Sequence, residues 1–384
     1  MTDRATEIAL SKEHMESYAN FFMEHVPDVA DNYELASKAL ELLAVARRPL
    51  SIQELAWAVA LNDAPSALHT VSALGDNFVD TAEVMQLIQP FILPVDLEKL
   101  QKHQIMVHQS VKELILIKSP LRWNDANGLV RLLVDEATLS QRLETLEANL
   151  LNLCVRYLLL DEIGENSLFS PEQLGAELPQ SHDLFDDNLD SSRYDATCTW
   201  DEWEEDMLCY DPSECGLGGL FAYASVYWVD HFSVATARSM PDIRIIEKLC
   251  QRGSKRLDNW LKQNCRPNCT FKPRWDADSE LFDPLGVTAL YGSRAMLDNM
   301  LITSQFEKEA YLDNSGLQAA HHIVVNHHSA DLFRVRMLFY ADKLGSQLRT
   351  SEFCRTVMRH WRTGNRNRPG WHDVMELFIK WSLS

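Results

Sequence analysis

Few residues in this chain are typed and spaced for chemistry. Cys265 and Cys269 form a C-x3-C pair with Cys250 just upstream, and His322 and His327 form an H-x4-H pair beside His321 and His328. Zinc uses such pairs because donors on a tight turn reach one tetrahedral ion. Here the pairs stand far apart, and a repeat described below already accounts for His321, so no metal is assigned. His108, in Val107-His108-Gln109-Ser110, either senses an adjoining domain or is a partly buried imidazole near a helix cap at Ser110; the second reading is preferred. No G-x-x-x-x-G-K-[ST], G-x-S-x-G or H-E-x-x-H occurs. No catalytic residue and no cofactor is therefore assigned, and the chain is read as not an enzyme.

Two further groups suit recognition. Arg355, Arg359 and Arg362 share one face of a helix expected from Ser351 to Trp361. Trp200 and Trp203 interrupt an acidic block, where they either dock onto a basic surface or pin the block to the body. These five residues are the partner-contact candidates. The acidic block, 161–214, holds 17 Asp or Glu against Arg193 alone. Residues 334–368 hold nine Lys or Arg against two acids. The basic end therefore has an acidic partner available, in this chain or another.

The whole sequence bounds the setting. Its 384 residues suggest two or three domains, and 46% hydrophobic content allows a sizeable core. No run of 18 apolar residues occurs, no apolar stretch follows the opening residues, and the eight cysteines are scattered. No membrane span, no secretory leader and a reducing, cytoplasmic location are expected. The net charge of −20 disfavours nucleic acid and anionic lipid.

The elements that would position these residues are mostly helices. After a helical lead at 1–32, apolar spacing predicts a helix over 33–45. A second starts at Ser51, where Ser51-Ile52-Gln53-Glu54 spells a capping box, and a third covers 81–91. The apolar runs 92–95 and 105–108 predict a hairpin, and Ser110 is expected to cap a helix over 111–117. Helices over 128–139 and 143–160 come next. The acidic block reads mostly as a surface insertion, followed by helices over 217–231, 241–251 and 254–262. From Asp283 a weak repeat begins: Asp283–Gly292 and Asp313–His322 each precede an apolar helix, and Gly370–Phe378 resembles part of a third unit. A period near ~33 residues of turn, helix, helix describes an ankyrin array. Ala289 and Ala320 would let paired helices approach, and Gly292 would supply a left-handed turn.

Two segments then carry a family likeness: Ala46-Arg47-Arg48-Pro49-Leu50-Ser51-Ile52-Gln53-Glu54-Leu55-Ala56 and Val107-His108-Gln109-Ser110-Val111-Lys112-Glu113-Leu114. They resemble the winged helix that follows the ATPase in fungal NACHT–ankyrin proteins, a module also known from proteins likened to GPI inositol-deacylases. Two more matches follow in order, Cys154-Val155-Arg156-Tyr157-Leu158-Leu159 and the segment Phe221 to His231. The resemblance implies a signalling protein of the STAND, NLR-like kind without its ATPase.

The expected fold is thus mainly α: a lead at 1–32, a winged helix with a small β-hairpin at 33–119, a helical middle region at 120–281 containing the acidic insertion, and short degenerate ankyrin-like helical repeats at 282–384. The expected function is a non-catalytic regulatory and protein-interaction region of a NACHT-type protein, partnered by another protein or a neighbouring ATPase domain. The alternative is a nucleic-acid-associated regulator using the basic C-terminal end. Between Pro49 and Glu98 there are seven acids and no Lys or Arg. That excess argues against DNA reading by the winged helix, which would need cations to meet phosphates and base edges.

Overall fold

A computed structural model describes residues 30–95, 104–107, 109–117, 136–169, 209–271 and 282–303, with isolated positions within 17–26, 273–279 and 351–359. The protein is mainly helical. Among the described residues no helix is long and apolar enough to cross a membrane.

The first elements build one module. Helix α1 (Ala30–Val45) buries Ala36, Ala39, Leu40 and Leu43. A two-residue strand β1 (Leu50–Ser51) leads into α2 (Ile52–Asp63). The capping box forms as the sequence suggests: Glu54 N donates to Ser51 Oγ at 3.1 Å, and Ser51 N donates to Glu54 Oε2 at 2.9 Å. Helix α3 (Val71–Phe78) follows, then α4 (Thr81–Ile88), whose cap Asp80 accepts from the amides of Ala82 and Glu83. Pro90 draws the end of α4 into a 3-10 turn over Gln89–Phe91. Strands β2 (Ile92–Val95) and β3 (Gln104–Val107) pair antiparallel, with Ile92 opposite Val107 and Val95 opposite Gln104. β1 pairs with the other side of β3, giving the order β1-β3-β2. Pro94, which has no N–H to give a ladder, sits on the edge strand. Helix α5 (Gln109–Ile117) buries Val111, Leu114 and Ile115. Ser110 lies inside its first turn and so is not its cap.

The helical body is centred on α6 (Glu136–Leu158). The break expected at 140–142 between two helices is not made, because α6 runs through it; residues 128–135 of the first expected helix lie outside the described residues. Leu146, Leu150, Leu151, Cys154, Tyr157 and Leu158 give it an unbroken buried face. The short helix α7 (Asp161–Glu165) follows. The first and last parts of the acidic block are integral to the body: Ile163, Leu168, Phe169 and Tyr210 are all buried. The Phe169 and Tyr210 rings meet edge to face at 4.8 Å, so the chain leaves and returns at one point. Helix α8 (Phe221–Ser233) lies along α6 and also packs on α10 (Lys255–Asn264). Trp228 and Trp260, both fully buried, join α8 to α10 with ring centroids 5.1 Å apart. Helix α9 (Ile243–Leu249) precedes α10.

The last described elements are α11 (Pro284–Tyr291) and α12 (Arg294–Thr303). Asp283 caps α11, accepting from Gly286 N at 2.7 Å, and Pro284 supplies the first turn. Gly292 departs from expectation. Its backbone is extended, with φ −66° and ψ 156°, so no left-handed turn is made. Its size is what counts: a Cβ there would stand 2.6 Å from Thr288 O. Ala320, His327 and the later repeat units lie outside the described residues. One continuous buried cluster runs from Phe22 through Leu55, Leu114, Leu150 and Trp228 to Met300.

Candidate functional site

The polar groups that join the sheet-bearing module to the body converge on four segments. At the end of α1, Arg47 and Arg48 leave the helix on a bend fixed by Pro49. The Arg47 guanidinium donates to Glu147 Oε2 at 2.9 Å. The same carboxylate oxygen lies 2.6 Å from His231 Nδ1, and His231 Nε2 lies 3.1 Å from Tyr223 Oη. Tyr223 Oη also accepts from Arg47 N at 3.2 Å. One tautomer uses every proton: Nδ1–H donates to Glu147, and Tyr223 O–H donates to Nε2. The circuit thus closes from α1 through α6 and α8 back to α1.

Arg48 completes the contact. It grips Glu54 with both terminal nitrogens, at 2.8 and 2.6 Å, and its guanidinium lies 5.4 Å from the Tyr223 ring centre and 5.6 Å from that of Tyr227. Burial works against its charge, yet the Glu54 carboxylate holds the guanidinium more firmly protonated than usual. Burial drives the Tyr223 hydroxyl well above its ordinary range. Desolvation by its neighbours also raises the carboxyl of Asp230, an exposed residue, against the opposing pull of Arg47 and His231.

A second set of bonds ties α2 and α3 to the end of α6. Arg156 donates to the carbonyls of Leu61, Ala64 and Pro65 at 2.6–2.9 Å, closing the C-terminus of α2. Glu162 receives Val71 N at 2.7 Å, Ser72 N at 3.1 Å and Ser72 Oγ at 2.8 Å, so a remote carboxylate serves the N-terminus of α3. Burial would raise Glu162, but these donors hold it below the ordinary carboxylate value. Between the two sets, Tyr157 Oη donates to Leu217 O at 2.7 Å. Gly218 makes the adjoining turn at φ 74°, where a Cβ would stand 2.3 Å from that hydroxyl and 2.7 Å from Val71.

The Tyr–His–Glu order has the form of a proton relay. Tyr223 and His231 have no exposed surface, however, so a substrate cannot reach them in this arrangement. What the arrangement supplies is alignment of two bodies by directional, charge-assisted bonds.

Trp200, Trp203 and Arg362 fall outside the described residues, as does His108. Arg355 and Arg359 are exposed at helical positions, with Arg355 Nη2 3.4 Å from Ser351 Oγ. Cys250 and Cys265 are buried and Cys269 is half-buried, and the histidines at 321–328 are not described. Among the described residues, no group of three or more His, Cys, Asp or Glu is placed to hold a metal.

The sequence reading overlooked Glu147 and Glu162 as junction residues. Arg47, Arg48, Arg156, Tyr223 and His231 all lie within the segments that carry the family likeness, so the signal was present without its meaning. No known family model, curated protein or solved structure matches the chain.

Proposed function

We propose that this chain is a non-catalytic regulatory and protein-interaction region of a NACHT-type signalling protein, with residues 33–119 as its winged helix. The order helix, strand, helix, helix, helix, strand, strand, helix and the sheet order β1-β3-β2 support that reading of the module. α4, in the place of a groove-reading helix, exposes Thr81, Ala82, Glu83 and Gln86 and no cation, which favours a protein-facing role over a DNA-facing one. The degenerate ankyrin reading draws support from Asp283-Pro284 opening a pair of short helices.

The observation that carries the proposal is the junction. Three of the four segments that carry the family likeness supply its bonding groups, and the fourth forms α5, which packs on α6. A switch needs its regulatory part to move as one piece, because a flexible joint would dissipate differential contacts with the ATPase. The junction makes the module and the body such a piece.

The test is calorimetric titration of the chain with a purified fungal NACHT domain, once with ADP and once with a non-hydrolysable ATP analogue. The proposal predicts affinities differing by at least about tenfold, or about 1.4 kcal/mol. Equal affinity in both states, or no binding, contradicts it.

A further inference from the structure

α6 carries a row of uncharged polar side chains on its exposed side. Gln141, Thr145, Asn149 and Asn152 follow one another at intervals of four, four and three residues, and all four are exposed. Together with Arg238 and Met240 from the loop after α8 they line an open cleft of about 360 Å³. Among the described residues, the side-chain amides of Gln141, Asn149 and Asn152 make no hydrogen bond. Thr145 Oγ1 donates to Gln141 O and keeps its lone pairs for a ligand.

The spacing has a length that fits one kind of guest. Four helical residues rise about 6 Å, close to the ~6.6 Å of two residues in an extended strand. The row from Gln141 to Asn152 therefore spans about 16 Å, or roughly five extended residues. Each side-chain amide offers a donor and an acceptor, the complement of one peptide unit. Charge narrows the guest further. Glu144 also lines the cleft, and one of its carboxylate oxygens is engaged by Thr236 Oγ1. In a neighbouring cleft that shares Asn149, Lys38 is paired with Glu34 and Asp63, and Arg142 with Glu41. Arg238 is exposed, and no partner for its guanidinium is found among the described residues.

We propose that this cleft binds an extended peptide segment that carries an acidic side chain. The α6 amides read its backbone and Arg238 its carboxylate. This surface stands independently of the NACHT reading, since its assay uses no ATPase.

The experiment is fluorescence polarisation of the full chain against labelled alanine–valine hexapeptides in which one aspartate is moved through all six positions. At least one hexapeptide is expected to bind, more weakly as salt rises. The double variant Asn149→Ala with Asn152→Ala should weaken it at least tenfold, and so should Arg238→Glu. A backbone N-methylated copy of the same peptide should lose binding, because it keeps the aspartate but not the N–H groups. All three positions are exposed, and an unchanged circular dichroism melt will show that the variants are folded. The proposal is overturned if no hexapeptide binds at millimolar concentration, if the variants bind as well as the parent, or if the N-methylated peptide binds equally. Self-association abolished by Arg238→Glu, with no peptide bound, assigns the cleft to a second copy and also overturns it.

Discussion

Arg47 and Glu147 lie 100 residues apart in the chain and meet at 2.9 Å. Glu147 also takes the His231 Nδ1 contact on the same oxygen, so one carboxylate holds the segment just after α1 and the last turn of α8 together. Glu147→Ala leaves His231 fully buried without its acceptor and Arg47 without its counter-charge. The expected loss is about 3 kcal/mol, read from urea unfolding. A double-mutant cycle of Glu147→Gln with His231→Phe should give a coupling of at least about 1 kcal/mol. A coupling near zero would show that the two residues are merely adjacent.

Glu162 makes stability depend on acid pH. Its folded-state value is held below the ordinary 4.5 by the donors at the start of α3, against the opposing effect of burial. A carboxylate depressed by folding stabilises above its unfolded value, and the contribution is lost as pH falls through the folded one. Glu162→Gln should therefore cost about 1 kcal/mol near neutrality, the scale of a lost helix cap. The gap between variant and parent should close as pH drops below the ordinary 4.5. A gap that stays constant down to pH ~3 contradicts this assignment.

Two glycines separate crowding from backbone handedness. Gly218 and Gly253 both have left-handed backbones, at φ 74° and 69°, but a Cβ at Gly253 meets nothing within 4 Å. Gly253→Ala should cost about 1 kcal/mol. Gly218→Ala must also displace Tyr157 Oη and Val71, and should cost at least about 3 kcal/mol. Thermal melts of the two variants make the comparison, and equal costs would mean that the Gly218 turn is loosely packed.

The cysteines should divide by burial. Burial raises the thiols of Cys154 and Cys250 well above the ordinary range, and both are fully buried, whereas Cys209 is exposed. Iodoacetamide should label Cys209 in the native protein and reach Cys154 and Cys250 only on unfolding. Mass spectrometry of labelled peptides reads this directly, and native labelling of Cys154 would contradict the packing of α6 against α8.

Local signals in the sequence were legible where the cause was local. Ser51 and Glu54 are three residues apart and cap one helix, so their pattern could be read directly. The hairpin of β2 and β3 was visible as two apolar runs. Helix α3 was missed because it has only eight residues, with Gly75 inside, and part of its N-terminal support comes from distant Glu162. The continuity of α6 through Ser140 and Gln141 was hidden because exposed polar residues there mimic a break, while the buried face decides. Gly292 was assigned a turn, when the constraint is its distance to Thr288 O. Glu147 carried no signal, because its partners come from α1 and α8 and only the tertiary fold unites them.

The most direct test of the account is native-state hydrogen exchange on the parent and on His231→Phe. The weld between module and body predicts that buried amides of α2 (Leu55, Val59, Leu61) and of α8 (Ala224, Trp228) open with the same free energy in the parent, and that the variant lowers both together. If the α2 amides keep their protection while those of α8 lose it, the module and the body are separate units and the account is wrong.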